Sequence, residues 1–389
     1  MVISKVLLIF IIAVYYALIL FPCALLAAPL KMGVLPVLDT LPLHVAVQDN
    51  LFADQGLEVE LVNFSSALER DVAMQGGQLD GYFGDLLNSL LLIQSGVPMR
   101  IFTVAYATQP GQRMFALLAA PGSAVTDLKQ AKGMRVGISS ATIIEYLLDG
   151  MLEKNGIPKN AVTPVEVKKI PIRLQMLLSG QLDLALLPEP LVSVAESSGA
   201  RVLLTDENLN MPLTVLSIHQ SKLEPGQKVL EPFLEAYRQA IRHLREKPET
   251  YRALMTRVCN IPDSLQAGFK IPVYPAPQLP TTEALQAVQN WMVEHGLLQR
   301  SLPYDRLVPE ALKTTLRPAV MNGKAENPPL PPFTKGGDSS ATLREGGDSS
   351  AALREIGDSS AALREIGDLG RFVNRVASSK GLQCERVSC

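Results

Sequence analysis

Gly77-Gln78-Leu79-Asp80 and Gly180-Gln181-Leu182-Asp183 are the same four residues met twice in one chain, and the duplication around them decides the fold. Each copy is followed at the same interval by Ser-Gly, at Ser95-Gly96 and at Ser198-Gly199. Each is preceded by a stretch of helical periodicity (67–75 and 172–178) and followed by a short apolar run (81–83 and 184–187) with the length of a buried strand. The match continues upstream. Residues 31–35 and 134–138 read as buried strands, each carrying a glycine, Gly33 and Gly137. Helices over 43–53 and 142–154 follow, closed by Gly56 and Gly156 as helix-ending glycines. Second strands come next, at 57–62 and 163–167. Each half is strand–helix–strand–helix–strand–helix, which predicts two similar α/β lobes, each on an open parallel sheet.

Working outward, residues 29–117 form the first part of lobe 1, 118–214 form lobe 2, and 215–318 return to complete lobe 1. That last segment holds a strand at 215–219 and helices over 228–245, 249–258 and 282–295 with no counterpart in the first half. Crossings near 117–121 and 212–216 make a double hinge. At the front, Lys5 precedes an uncharged run over 6–30 that ends near Ala24, Ala27 and Ala28, so residues 1–28 read as a secretory signal peptide or an uncleaved anchor. Leu20-Phe21-Pro22-Cys23 is a faint lipoprotein box, spoiled by its proline. Behind the lobes, Asn327-Pro328-Pro329-Leu330-Pro331-Pro332 and a ten-residue repeat (336–345, 346–355, 356–365) make 319–389 a disordered tail, because a period of ten builds no lasting helical stripe.

Composition narrows the function. The chain has 389 residues, is 47% hydrophobic and 19% charged, and carries a formal charge of −2, which leaves no basic field for nucleic acid. Aromatic residues are 5%, with one tryptophan, Trp291, so a stacking platform for single strands is not expected. Cys23, Cys259, Cys384 and Cys389 form no CxxC pair and there are four histidines, so neither a zinc site nor a disulfide framework is expected. The same holds for a cofactor: no Gly-x-x-x-x-Gly-Lys loop and no Gly-x-Ser-x-Gly elbow is present.

In open α/β sheets ligands bind outside the carboxyl ends of the strands, and two facing lobes place a small-molecule cleft between them. Four loops are selected: 36–41, Gly84-Asp85, 139–142 and 188–190. The candidate ligand-binding residues are Leu35, Pro36, Asp39, Thr40, Gly84, Asp85, Ser139, Ser140, Thr142, Pro188 and Glu189. Ser139-Ser140-Ala141-Thr142 between strand and helix offers hydroxyls and N–H groups to a carboxylate, sulfonate or phosphate, or is an ordinary N-cap. Thr142 with Glu145 fits a capping box. Asp39, Thr40 and Asp85 fit caps as well as ligand contacts, whereas Glu189, stiffened by Pro188 and Pro190, reads as a carboxylate on a rigid support. These acids favour a neutral or amine-bearing ligand, with any acidic group at 139–142; Arg113 or Arg173 in the pocket reverses that balance. Among the histidines His44 opens a helix near the cleft, while His243 and His295 fall on solvated helix faces. No catalytic set emerges, so the chain reads as a non-enzyme.

Gly33-Val34-Leu35-Pro36, Leu41-Pro42-Leu43, Asn50-Leu51-Phe52 and Gly56-Leu57-Glu58-Val59, with Asp127-Leu128-Lys129, 134–140 and the repeated Gly-Gln-Leu-Asp, resemble periplasmic substrate-binding proteins of the nitrate/sulfonate/taurine ABC transporter type over about residues 30–316. That resemblance implies a type II periplasmic binding protein fold whose lobes close on a small organic ligand, such as a sulfonate or a pyrimidine/thiamine precursor. It implies delivery to an ABC permease and its ATPase in the periplasm, with the membrane touched only through the leader or the permease. The family's pocket loops correspond to 36–40, Gly84-Asp85, 139–142 and Pro188-Glu189. A related pyrimidine synthase depends on a cysteine-rich motif, which a body holding only Cys259 does not match. An enzyme on the same fold, or a membrane-tethered sensory receptor, is the alternative.

Overall fold

The computed structural model describes residues 28–316, apart from Asn210, Pro225, Thr314 and Thr315. Residues 1–27 of the 1–28 leader and the whole 319–389 tail therefore lie outside the described residues.

Two five-stranded sheets carry the chain. The first is ordered β2-β1-β3-β10-β4, with β1 Leu30–Val34, β2 Val59–Asn63, β3 Gly81–Asp85, β4 Met99–Ala107 and β10 Pro212–His219. The second is ordered β7-β6-β8-β5-β9, with β5 Phe115–Ala119, β6 Arg135–Ile138, β7 Thr163–Glu166, β8 Leu184–Pro188 and β9 Arg201–Thr205. The three duplicated strands pair in parallel in both sheets. The fourth position holds an antiparallel strand: β10 beside β3, and β5 beside β8. The sheets are mixed, not all-parallel as the β-α alternation predicts. The reason is that β5 and β10 each enter directly from the other lobe and so run against their neighbours.

The crossings come earlier than the sequence suggests. They occupy residues 108–114 and 206–211, because Leu117–Ala119, read above as part of a crossing, belong to Phe115–Ala119, a fully buried strand of the second sheet. Leu117, placed above in lobe 1, thus belongs to the second sheet. Asp206 anchors both crossings, its Oδ1 accepting from the N–H groups of Met114 (2.9 Å) and Phe115 (3.0 Å).

The repeated tetrapeptide does identical work in each lobe. Gly77 and Gly180 sit just past the Ala67–Gln75 and Ile170–Leu178 helices at φ of +69° and +72°, the left-handed geometry that closes a helix and costs glycine nothing. Leu79 and Leu182 are buried under the sheets. The Oδ2 atoms of Asp80 and Asp183 accept from the N–H groups of Lys31 and Arg135, each at 2.8 Å, tying the next strand to the start of the first.

After β10, the Leu230–Glu246 helix lays Phe233 against Phe52 (4.7 Å between ring centroids) and edge-on to Phe102 (5.2 Å), covering the first sheet. The Thr282–Glu294 helix packs on the same lobe beside Leu86–Gln94, yet its Trp291 reaches the second lobe. There Trp291 stands edge-on to Tyr146 (5.3 Å) and its Nε1 donates to Asp149 Oδ2 at 2.9 Å. Among the described residues no helix is long and apolar enough to cross a membrane.

Candidate functional site

An open cavity lies between the carboxyl ends of β1 and β3 on one side and of β6 and β8 on the other. Of the residues singled out in the sequence, Leu35, Asp39, Asp85, Ser139, Thr142 and Pro188 line it. Pro36, Thr40, Gly84, Ser140 and Glu189 do not, and the local geometry says why. The loop after β1 tightens into a 3-10 turn at Leu38–Thr40, and the buried Thr40 hydroxyl donates back to the carbonyls of Leu35 (3.1 Å) and Val37 (2.8 Å). Pro36, between the lining residues Leu35 and Val37, is half-buried and is not part of the cavity wall. A Cβ on Gly84 would stand 2.2 Å from the Tyr82 ring and 3.1 Å from the Arg70 guanidinium carbon, so that glycine makes room behind the wall.

Ser140 turns outward onto Glu166 Oε2, through its N–H (2.9 Å) and Oγ (2.6 Å). Glu189 follows the last residue of β8 and is held to the segment leading into β5 by its N–H on Met114 O (2.8 Å). This brings Arg113 onto its Oε1, through Nε (2.9 Å) and Nη2 (2.7 Å), and its Oε2 accepts from Ser193 N (3.1 Å). The expected carboxylate on a rigid support is thus neutralised by Arg113, itself outside the cavity and also paired with Glu196.

The two acids that do reach the cavity are unlike ordinary carboxylates. Asp39 is 3% exposed, and burial, aided by the charge of Asp206, pushes its pKa up to about 7 despite the hydrogen bond from Thr214 Oγ1 (2.9 Å). Asp85 is pushed up to about 6 by burial, against the pull of Arg70 and of the N–H groups it accepts. Its two oxygens serve both readings offered by the sequence. Oδ1 caps the Leu86–Gln94 helix through Asn88 N (2.7 Å), and Oδ2 accepts from Ile143 N of the opposite lobe at 3.3 Å. A second tie crosses nearby, Lys169 Nζ to Glu69 Oε1 at 3.3 Å. Thr142 keeps its capping role, donating to Ser139 O (2.7 Å) and accepting from Ile144 N (3.2 Å). Glu145 bonds Ala141 N, one residue before the cap position expected of a capping box.

The cavity also holds residues the sequence reading did not list as site residues: Arg70, Lys168, Arg173 and Thr214, with Phe83 and Phe115 among its apolar walls. A signal for the arginines was present. Arg70 and Arg173 stand at the same distance before Gly77 and Gly180. Arg173, raised above as the residue that reverses the charge balance, is 1% exposed, and burial pulls its pKa down to about 10.

The histidines lie elsewhere. His44 is away from the cavity, its Nε2 enclosed without a partner and its pKa pushed down to about 4 by burial and by Arg257. His243 and His295 keep contact with solvent as expected, yet each ring also has a partner. His243 Nδ1 meets Asp49 Oδ2 at 2.8 Å, and His295 stacks on Trp291 at 3.9 Å with Nε2 3.0 Å from Asp149 Oδ2. Among the described residues no group of three His, Cys, Asp or Glu side chains is placed to hold a metal ion.

Solved structures share the arrangement. The alkanesulfonate-binding protein SsuA of Xanthomonas axonopodis pv. citri, solved with MOPS, superposes with a TM-score of 0.61 at 18% identity, covering 70% of this chain and 94% of that one. The periplasmic nitrate-binding protein NrtA of Synechocystis PCC 6803 gives 0.57 at 14% identity, covering 74% and 88%. The desulfurization enzyme DSZB gives 0.55 at 16% identity, covering 73% and 98%. The fold is therefore the periplasmic binding protein fold, two mixed α/β sheets with a cleft between them. No curated protein sequence matches the chain. A family model does, over residues 26–259; that span holds both copies of the duplication and every residue lining the cavity, and the chain belongs to the NMT1-like family.

Proposed function

We propose that this chain is an extracytoplasmic solute-binding receptor of an ABC importer, without catalytic activity of its own. The observation that carries the reading is the shared cavity. Its walls come from both lobes, and Asp85 of one lobe accepts from Ile143 N–H of the other across it. A ligand touching both walls favours the closed arrangement, and a permease that recognises this arrangement receives the ligand. The solved relatives that bind alkanesulfonate and nitrate support the reading. In the same reading residues 1–28 are a leader or anchor that brings the chain to the periplasm, and 319–389 are a tail outside the receptor.

The test is thermal unfolding of the chain with a panel of sulfonates, nitrate, amino acids and pyrimidines. A ligand at a hundred times its Kd adds roughly 2.7 kcal/mol, which moves the midpoint of a chain this size by about 4 °C. A shift with the ligand recovered unchanged is the expected result. Conversion of the ligand would replace the receptor with an enzyme, a reading that the superposition with DSZB keeps in play.

A further inference from the structure

The two halves of the chain keep the same arginine and treat it in opposite ways. Arg70 and Arg173 are equivalent in the duplication, and their stems rest on equivalent glycines: a Cβ on Gly33 would stand 3.1 Å from Arg70 Cγ, and one on Gly137 3.1 Å from Arg173 Cγ. In the first copy the guanidinium is fully engaged. Nη1 donates to Phe83 O (2.8 Å), Nε (3.1 Å) and Nη2 (2.7 Å) donate to Asp71 Oδ1, and the group lies 4.4 Å from the Tyr82 ring centre. In the second copy Leu174 stands where Asp71 does and Ala185 where Tyr82 does. Arg173 is as deeply buried as its twin, yet its Nε and Nη1 are enclosed with no hydrogen-bond partner. The neighbouring acid, Glu166, is occupied elsewhere, with Oε2 on Ser140 and Oε1 4.0 Å from Lys168 Nζ.

A guanidinium does not shed its proton to escape burial, and a buried charge without a partner is strongly unfavourable. Arg173 lines the cavity, so the partner its own lobe lacks has a place to arrive from. We infer that Arg173 anchors the acidic head of the ligand, and that the ligand is a small organic acid carrying a single negative charge; this rests on the receptor reading above. Phe83, Phe115, Ile143 and Ile170 supply apolar surface for its body. The exposed Lys168 at the rim adds a positive field for capture. Asp39 and Asp85 line the facing wall and disfavour a second negative charge on the ligand.

The experiment uses the full chain and probes of matched size at constant ionic strength: butanoate, butane-1-sulfonate, butyl phosphate, butan-1-amine and butanamide, with nitrate and sulfate as inorganic arms. Melting temperature and titration calorimetry are read for the parent, Arg173→Gln and Arg173→Lys. Expected is stabilisation by at least one of the two organic monoanions, larger than by nitrate, with little response to the dianions, the amine or the amide. Arg173→Gln should weaken that monoanion by about thirtyfold or more, the usual loss of a charge-assisted hydrogen bond, and Arg173→Lys should restore part of it.

Without any probe, Arg173→Gln should melt no lower than the parent, because it removes an unpartnered buried charge; an arginine that is merely structural lowers the midpoint instead. Monoanions that leave the parent unmoved, or that bind Arg173→Gln equally well, overturn the inference. So does nitrate or sulfate outperforming both organic acids, which makes the site one for inorganic anions. Stabilisation by the amine or amide alone overturns it and leaves the receptor standing, whereas conversion of a bound probe overturns the receptor.

Discussion

Replacing Asp39 with asparagine takes a nearly unexposed carboxylate and makes it permanently neutral at almost unchanged volume. The free acid ordinarily titrates near 3.8, and in the fold burial pushes this up to about 7. The folded chain therefore holds a proton that the unfolded chain releases between those two values. Folding stability falls as pH rises through the window, and the full penalty is present above about pH 7. At about 1.36 kcal/mol per pH unit the penalty is about 4 kcal/mol. Asparagine removes it and can still accept from Thr214 Oγ1, now 2.9 Å from Oδ2, a bond whose pull on the charged form is already contained in the raised pKa. Asp39→Asn should then be about 2–4 kcal/mol more stable than the parent near pH 8 and indistinguishable near pH 4. Guanidinium unfolding followed by circular dichroism at the two pH values measures both. A variant no more stable near pH 8, or one shifted equally at both, refutes the claim that a buried, proton-hungry carboxyl faces the cavity.

Other perturbations probe the scaffold. Gly137→Ala puts a Cβ 2.5 Å from Leu182 Cδ1 and 3.1 Å from Arg173 Cγ, and should cost about 1–3 kcal/mol of stability while weakening whatever Arg173 holds; an unmoved melting temperature removes the cradle from the account. Glu189→Gln removes one of the two carboxylates on Arg113, whose side chain is 23% exposed and which keeps Glu196. This should cost about 1–2 kcal/mol, less than a fully buried pair, and leave ligand affinity untouched, as calorimetry will show. Phe233→Ala opens the contact with Phe52 and Phe102 and should lower stability by about 3–5 kcal/mol in denaturant titration.

The duplication made most of the fold legible, because the glycine that ends a helix, the leucine that plugs the sheet and the aspartate that ties two strands are all local devices. The order of strands within the sheets was less so. The antiparallel direction of β5 and β10 follows from where the chain crosses, and Phe115–Ala119 carries the same apolar character whether it is a hinge or a buried strand. The cleft was found by loops and not by side chains. Ser139 and Ser140 are neighbours, yet only Ser139 faces the cavity, the difference being made by Glu166 on the next strand. Glu189 was misread because its partner Arg113 comes from a distant segment, on the far side of the β5–β8 pairing. Arg70 and Arg173 are hard to read for a simpler reason: a helical arginine usually ends in solvent, and only the repetition at equivalent positions sets these two apart.

Trp291 is the only tryptophan in the chain, is 8% exposed, and bonds across the lobes to Asp149, so its emission reports closure without any label. The decisive measurement is that emission during titration with butanoate and butane-1-sulfonate, in the parent and in Arg173→Gln. A saturable change with at least one of the two acids, absent with butan-1-amine and lost in Arg173→Gln, is the outcome predicted for two lobes closing on an anion held by Arg173. Binding of either acid by calorimetry with Trp291 unmoved, or an equal response in Arg173→Gln, contradicts it.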